Sequence, residues 1–511
     1  MVRTVYSAAT HGIDGYIVVV ETNLEGFIPG YATVGLPDNA VKESKERVLA
    51  AIKNSGYFFP QKRITVNLAP ADVRKEGSSY DLPIAVGILA ASGQLDADSM
   101  NEFVVLGELS LEGGVRPIHG ALSLALAAAA RGFKSVIVPA VNAGEAAMAP
   151  DVEVYGVESL LQVVNLLNGE ESLPPARVDV GQLFTQHSRY LVDLKEVKGQ
   201  DAAKRALEIA AAGSHNLIMI GPPGSGKTML AKRFPTILPQ LTLEEALETT
   251  KIHSVAGKLP PDQPLLATRP YRSPHHTISN AGLIGGGSYP RPGDVSLAHH
   301  GVLFLDELPE FNRNVLEAMR QPMEDGQVTI SRAQISTTYP ARFMLVAAMN
   351  PCPCGFFGDP RNECTCSPLK IQQYRSRISG PLMDRIDLHI EVPAVKFEDL
   401  ASLSDGDASD EIRKRVQRAR EVQLRRFRDL KGIFANAHMT SKELQRHCEL
   451  DSEGMGLLRT AIDRLGLSAR AYDRILKVSR TIADLEGSEK IHPAHVAEAI
   501  QYRSLDREIL M

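Results

Sequence analysis

Eight residues from Gly221 to Thr228 read Gly-Pro-Pro-Gly-Ser-Gly-Lys-Thr, fed by the apolar run Leu217–Ile220 and followed by a helical pattern beginning Met-Leu-Ala-Lys. A glycine-rich loop between a buried strand and a helix wraps an anion with backbone N–H groups, and the helix N-terminus adds positive potential. Gly221, Pro222, Pro223, Gly224, Ser225 and Gly226 are therefore the expected phosphate cradle for ATP. Lys227 is expected to reach the β- and γ-phosphates, and Thr228 to ligate Mg²⁺. A second apolar run, Gly301–Leu305, ends on Asp306-Glu307. Asp306 is expected to hold Mg²⁺ through water, and Glu307 to orient and polarise the attacking water. A third run, Phe343–Ala348, delivers Asn350, a polar side chain placed to position that water.

Directly after Asn350 come Cys352-x-Cys354 and Cys364-x-Cys366, two pairs with nine residues between them. Four soft thiolates on a short Pro/Gly-rich loop suit tetrahedral Zn²⁺ in a closed, structural site. Redox-active thiols and an unmetallated loop are the other two readings. The loop supplies no phosphate ligand, so its loss is expected to cost stability and assembly more than nucleotide affinity. Cys448, alone in a helical region, reads as a small buried hydrophobe.

The elements that must position these groups fall into three blocks. Residues 1–168 alternate strand-like runs (Tyr16–Glu21, Arg63–Leu68, Phe103–Gly107, Ser135–Pro139) with helical ones (Ala40–Asn54, Leu82–Ser92, Gly120–Arg131), an α+β pattern. A linker, 169–186, carries two adjacent prolines. Residues 187–395 alternate strand and helix around the phosphate loop, as a parallel sheet with crossover helices does. After the polar break Ser402–Asp410, the block 396–511 is helical. The expectation is an α/β multidomain chain with a helical C-terminal lid.

The order of phosphate loop, acidic strand end and strand-end Asn resembles the AAA+ ATPases, in which Asn350 would be sensor 1. That resemblance implies arginines supplied by a neighbouring subunit in a closed ring, most simply a homo-hexamer. Arg385, in Gly-Pro-Leu-Met-Asp-Arg-Ile-Asp, looks like the arginine finger of the magnesium-chelatase and MCM-type branch. Arg470, opening a C-terminal helix, looks like its sensor 2, with Arg474 as competitor; a plain surface arginine is the alternative for each. Two insertions, Tyr271–Gly301 and Gly326–Arg342, occupy the positions of the channel-facing helix-2 insert and pre-sensor-1 hairpin of that branch, which makes Arg332 and the segment Tyr289–Arg291 candidate channel contacts. The chain as a whole resembles the ComM/YifB-like magnesium-chelatase-subunit-I family. The resemblance implies an ATP-driven hexameric DNA helicase that drives branch migration during natural transformation, with single-stranded or branched DNA as partner. A chelatase-like ATPase remodelling a protein partner is the alternative.

Val66–Leu89 and Gly107–Pro139 resemble the Lon-type peptidase domain. There Ser79 takes the nucleophile's position, but Leu122 stands where the family's Lys acts as base. An aliphatic side chain accepts no proton, so peptidase activity is not expected.

The remaining composition bounds rather than directs. In 511 residues, 44% are hydrophobic and 23% charged, which is globular usage and excludes wholesale disorder. With 56 Lys+Arg against 61 Asp+Glu the net charge is -5, so contact with nucleic acid requires a local basic surface. One candidate is Arg413–Lys431, with nine basic residues against Glu421 and Asp429; it reads as a solvated helix face or as a phosphate-backbone contact. The longest apolar helical stretch, Ala121–Ala130, is half of a bilayer span, and no N-terminal signal pattern is present, so a cytoplasmic protein without membrane contact is expected.

Overall fold

The computed structural model describes residues 2–505 except 27, 72, 74, 76, 97–99, 188, 189, 288, 333–335, 396–405 and 431. The first four residues of the polar break from Ser402, the last basic residue Lys431 and the tip of the second insert lie outside the described residues. The chain forms two compact units: Met1–Ser188 with Ala246–Ala267, and Arg189–Glu245 with Thr268–Met511.

The first unit is a seven-stranded sheet. Its strands are β1 (Val2–His11), β2 (Asp14–Glu25), β3 (Gly30–Val34), β4 (Arg63–Ala69), β5 (Phe103–Val105), β6 (Ser135–Pro139) and β7 (Glu153–Val157). Their spatial order is β3-β4-β2-β1-β5-β6-β7. The strand β1 had no apolar alternation to announce it; it is recruited by β2 in an antiparallel register from Val2↔Asn23 to His11↔Asp14. Helices α1 (Asn39–Asn54) and α2 (Asp81–Ala91) share one core with the inward residues of β2 and β4. Nearly all of α2 is buried, and it approaches so closely that a Cβ on Gly87 would lie 2.5 Å from Thr22 Oγ1. A third helix, α3 (Ala121–Ala130), starts after Gly120 at φ +77°. The linker is not loose: Ala176 N–H donates to Val154 O at 2.7 Å, and Leu173 packs on the core.

This unit is completed by a segment that lies between the two acidic and phosphate-binding motifs in sequence. The helix Leu243–Val255 passes into it after Glu245. Ser254 Oγ donates to Glu145 Oε1 at 2.5 Å and accepts from Gly120 N–H at 2.8 Å, while Leu122 N–H donates to Glu145 at 2.8 Å. The His119 ring stands where a Cβ on Gly257 would meet it at 2.8 Å.

The second unit is built on five parallel strands, β8 (Leu217–Ile220), β9 (Tyr271–Arg272), β10 (Val302–Leu305), β11 (Met344–Met349) and β12 (Leu388–Glu391), in the order β9-β10-β11-β8-β12. Such strands are covered on both faces and read as continuous apolar runs, which is why four of them were legible. Helices α4 (Asp201–Gly213), α5 (Lys227–Arg233), α6 (Ser409–Phe427) and α7 (Ala469–Leu485) pack around them. One core joins Leu217 and Val346 of the sheet to Val416 of α6 and Ile475 and Ile482 of α7. The nucleotide-binding block and the helical block lie in one compact unit, in which the helices bury their apolar faces on the same core as the sheet.

Candidate nucleotide-binding site

Register decides which residues meet. Ile220 pairs with Met349 and Leu305 with Ala347, so β8 and β11 end level, β10 ends two residues earlier, and all three release their chains at one sheet edge. In open α/β sheets that edge is where ligands bind. The phosphate loop begins at Gly221, where any Cβ would sit 2.1 Å from Val392 O. It turns through Gly224 and Gly226, at φ +75° and +95°, into α5. Lys227 donates through Nζ to Gly221 O at 2.7 Å, Pro222 O at 2.9 Å and Asn350 Oδ1 at 3.2 Å. Burial holds its ammonium below the ordinary lysine value against the pull of Asp306 and Glu307. Thr228 Oγ1 donates to Asp306 Oδ2 at 2.7 Å. A hydroxyl and a carboxylate this close beside a phosphate cradle are a hard-oxygen pair that fits Mg²⁺.

The structure thus brings Lys227, Thr228, Asp306 and Asn350 together. Glu307 follows at φ +54° with its carboxylate 3.4 Å from His276 Nδ1. His276 was not foreseen, although it lies in the His-rich stretch Ser273–Thr277. Gln200 was missed too: its Nε2 donates to Ser225 O at 3.2 Å and Pro393 O at 2.6 Å, tying the loop to the chain after β12. The only local signal is the pair of left-handed residues Gly199 and Gln200 at φ +61° and +59°.

Arg385 does not reach this site within its own chain. Its guanidinium is buried, paired with Glu324, and donates to Pro381 O at 2.6 Å. Arg470 is 59% exposed, 3.8 Å from Asp384. Its competitor Arg474 is committed to the buried Asp387 at 3.0 Å. Of the two, Arg470 alone presents an accessible guanidinium.

The four cysteines converge. Cys352 Sγ lies 3.3 Å from Cys354 and 3.7 Å from Cys364, and Cys354 lies 3.6 Å from Cys364; Cys366 completes the group. A tetrahedron of ~2.3 Å Zn–S bonds sets S···S near ~3.8 Å, so the donor set fits the ion. The backbone N–H of Phe356, and then Cys352, draw the Cys354 thiol down to about 6. The loop is also seated on the nucleotide site: a Cβ on Gly355 would lie 2.5 Å from Pro223 Cδ, and Arg375 Nε donates to Pro351 O at 3.2 Å. Cys448 is buried, as a small hydrophobe is expected to be.

The two insertions clasp each other. The short ladder Gly285–Gly286 with Arg291–Pro292 meets the hairpin of Gln327–Ser331 and Ser336–Pro340, where Arg332 Nε donates to Gly287 O at 3.2 Å and Tyr339 OH to Pro290 O at 2.6 Å. Arg291 and Arg332 are both exposed on this clasp.

Half of the described basic residues between Arg413 and Lys431 are spent inside the fold. Arg413 donates to Thr236 O, Arg415 pairs with Glu208, Arg420 donates to Ala211 O, Ala212 O and Ser214, and Arg426 pairs with Asp484. Lys414, Arg418, Arg425 and Arg428 stay exposed. In the first unit Leu122 is wholly buried, and among the described residues no Lys or His is hydrogen-bonded to Ser79.

Comparison with known proteins covers nearly the whole chain. Residues 193–400 match the family "Magnesium chelatase, subunit ChlI", residues 20–142 match "Subunit ChlI of Mg-chelatase", and residues 406–503 match its C-terminal family. A protein of Haemophilus influenzae named Competence protein ComM is 47% identical over 98% of this chain and 97% of its own length. Escherichia coli YifB is 45% identical over 99% and 98%. The magnesium-chelatase 67 kDa subunit of Chlorobaculum parvum is 28% identical over 32% of this chain and 24% of its own. No helix among the described residues is long and apolar enough to cross a membrane. With the phosphate loop, the acidic strand end and the parallel sheet in place, the chain belongs to the ComM/YifB-type magnesium-chelatase subunit ChlI family of AAA+ ATPases.

Proposed function

We propose that this ATPase is a ring-forming DNA motor, a homo-hexamer that moves strands at branched DNA. The observation that carries the reading is the clasp of the two insertions: Arg332 and Arg291 sit on hairpins braced against each other and anchored next to β10 and β11, the strands bearing Asp306 and Asn350. A change at the γ-phosphate thereby has a short route to exposed cationic hairpins. The name of the Haemophilus influenzae relative, a competence protein, is in keeping with DNA as the partner.

In this reading Thr228 and Asp306 would hold Mg²⁺, which would supply positive charge against the phosphates. Lys227 holds the β- and γ-phosphates, Glu307 polarises water, and Asn350 orients it. Arg385 and Arg470 are delivered to the next subunit's nucleotide. In its own chain the Arg385 guanidinium is buried against Glu324, so reaching a neighbour's phosphate requires it to leave that carboxylate. Cys352, Cys354, Cys364 and Cys366 would hold one Zn²⁺, which would serve as a structural cross-link in the loop that follows Asn350. The first unit, read as a Lon-type fold without its base, serves as a platform rather than a peptidase.

The test is a labelled three- or four-way junction incubated with purified protein, ATP and Mg²⁺. The expected result is branch-migrated product and an ATPase rate raised by the junction. Protein that neither binds junctions at low salt nor changes its ATPase rate with any DNA overturns the motor reading in favour of protein remodelling.

A further inference from the structure

The short sequence Asp384-Arg385-Ile386-Asp387 is held from two sides. Its two carboxylates each face an arginine one helical turn apart on α7: Asp384 lies 3.8 Å from Arg470, and Asp387 3.0 Å from Arg474. On the sheet side it is gripped by His215 and Asn216, the two residues just before β8. His215 donates from Nδ1 to Asp387 Oδ2 at 3.0 Å, and its Nε2 faces Thr481 Oγ1 of α7 at 2.8 Å. Asn216 donates to Arg385 O at 3.2 Å, accepts the N–H groups of Asp387 and Leu388 at 3.0 Å each, and accepts Leu345 N–H of β11 at 2.8 Å.

His215 and Asp387 are wholly buried. Burial keeps the imidazole below its ordinary value. Burial alone would raise the Asp387 carboxyl, but Arg474 and His215 outweigh it and leave it ionised, well below the usual range. A buried anion with these partners fixes geometry strongly, because losing any of them leaves an uncompensated charge. The strand that leads into the phosphate loop, the strand that carries Asn350, the backbone of Arg385 and the helix that carries Arg470 are thus bolted at one point.

We propose that Asp387 and His215 are positioning residues that set the two arginines a subunit offers its neighbour, so that Arg385 and Arg470 move as one body with the strand beneath the phosphate loop. This rests on the reading that those arginines act in trans. It separates two properties: a subunit with a loosened bolt still binds ATP and still hydrolyses it when the next subunit supplies sound arginines.

Subunit mixing tests it on the full-length protein. Asp387→Asn and His215→Gln rings are each expected to bind a fluorescent ATP analogue within about twofold of wild type and to lose at least tenfold in ATPase rate. Mixed with Lys227→Ala subunits, which have sound arginines but an empty site, they are expected to regain activity to the level that Arg385→Ala subunits regain in the same mixture. A fold defect does not complement in this way. If Asp387→Asn rings keep wild-type turnover, lose nucleotide binding, or stay inactive in a mixture where Arg385→Ala recovers, the positioning role is overturned. If Arg385→Ala itself fails to recover, the trans reading beneath it falls.

Discussion

Lys227 is held by three acceptors, Gly221 O, Pro222 O and Asn350 Oδ1. Exchanging those partners for phosphate oxygens brings charge-assisted bonds worth about 2–3 kcal/mol. Lys227→Ala is therefore expected to weaken ATP binding by roughly 30- to 150-fold, read by titration with a fluorescent analogue. In the proposed mechanism Glu307→Gln leaves Lys227, Thr228 and Asp306 intact and removes the group assigned to polarise water, so affinity should hold while turnover falls by about 10²–10⁴. Turnover at the wild-type rate in Glu307→Gln would move the role to another residue. These positions were legible because Glu307 follows an apolar strand by two residues and Lys227 closes the glycine-rich loop that follows another, so the chemistry is local. Gln200 and His276 were not, because each meets its partner only through the fold: Gln200 reaches Ser225 and Pro393, and His276 reaches Glu307.

At the scale of elements, a motif was readable but its seat was not. The cysteine spacing announces a metal loop, and the sequence alone makes it a matter of stability. The contact of Gly355 with Pro223 changes that expectation, since the loop roofs the residue beside the phosphate cradle. Cys352→Ser with Cys354→Ser is expected to abolish stoichiometric zinc in elemental analysis and to lower both the melting temperature and ATP affinity. Unchanged nucleotide affinity in the zinc-free protein would return the loop to a purely structural role. The helix α6 teaches the same lesson with charge. Composition shows nine basic residues, but only tertiary structure shows that Arg413, Arg415, Arg420 and Arg426 hold carbonyls and carboxylates. Arg420→Ala takes the guanidinium donor from Ala211 O and Ser214 Oγ, while Ala212 O keeps Gln423 Nε2, and should cost about 2 kcal/mol in denaturant unfolding. Arg418→Ala touches none of these contacts and should leave stability within about 0.5 kcal/mol, and any effect it has should appear as a shallower salt dependence of DNA binding.

For the molecule as a whole, the sequence reading of three consecutive blocks follows the motifs, whereas the fold follows contacts. No periodicity marks Ala246–Ala267 as part of the first unit, since its tie consists of Ser254 with Glu145 and Gly120, and of Gly257 with His119. A chain trimmed to residues 190–511 keeps this segment without its partners, including the buried Thr249, Ile252 and His253. It should aggregate on size-exclusion chromatography where the full chain does not, and a monodisperse, nucleotide-binding fragment would show that the segment is dispensable to both units. The same crossing sets a timetable on the ribosome. Residues 1–188 emerge first, but their fold stays open until residue 267 follows. At ~5–20 residues per second that is a wait of roughly 4–16 s. The phosphate loop is made during that interval, so a nascent chain exposes its nucleotide-binding sequence before either half of the protein is closed.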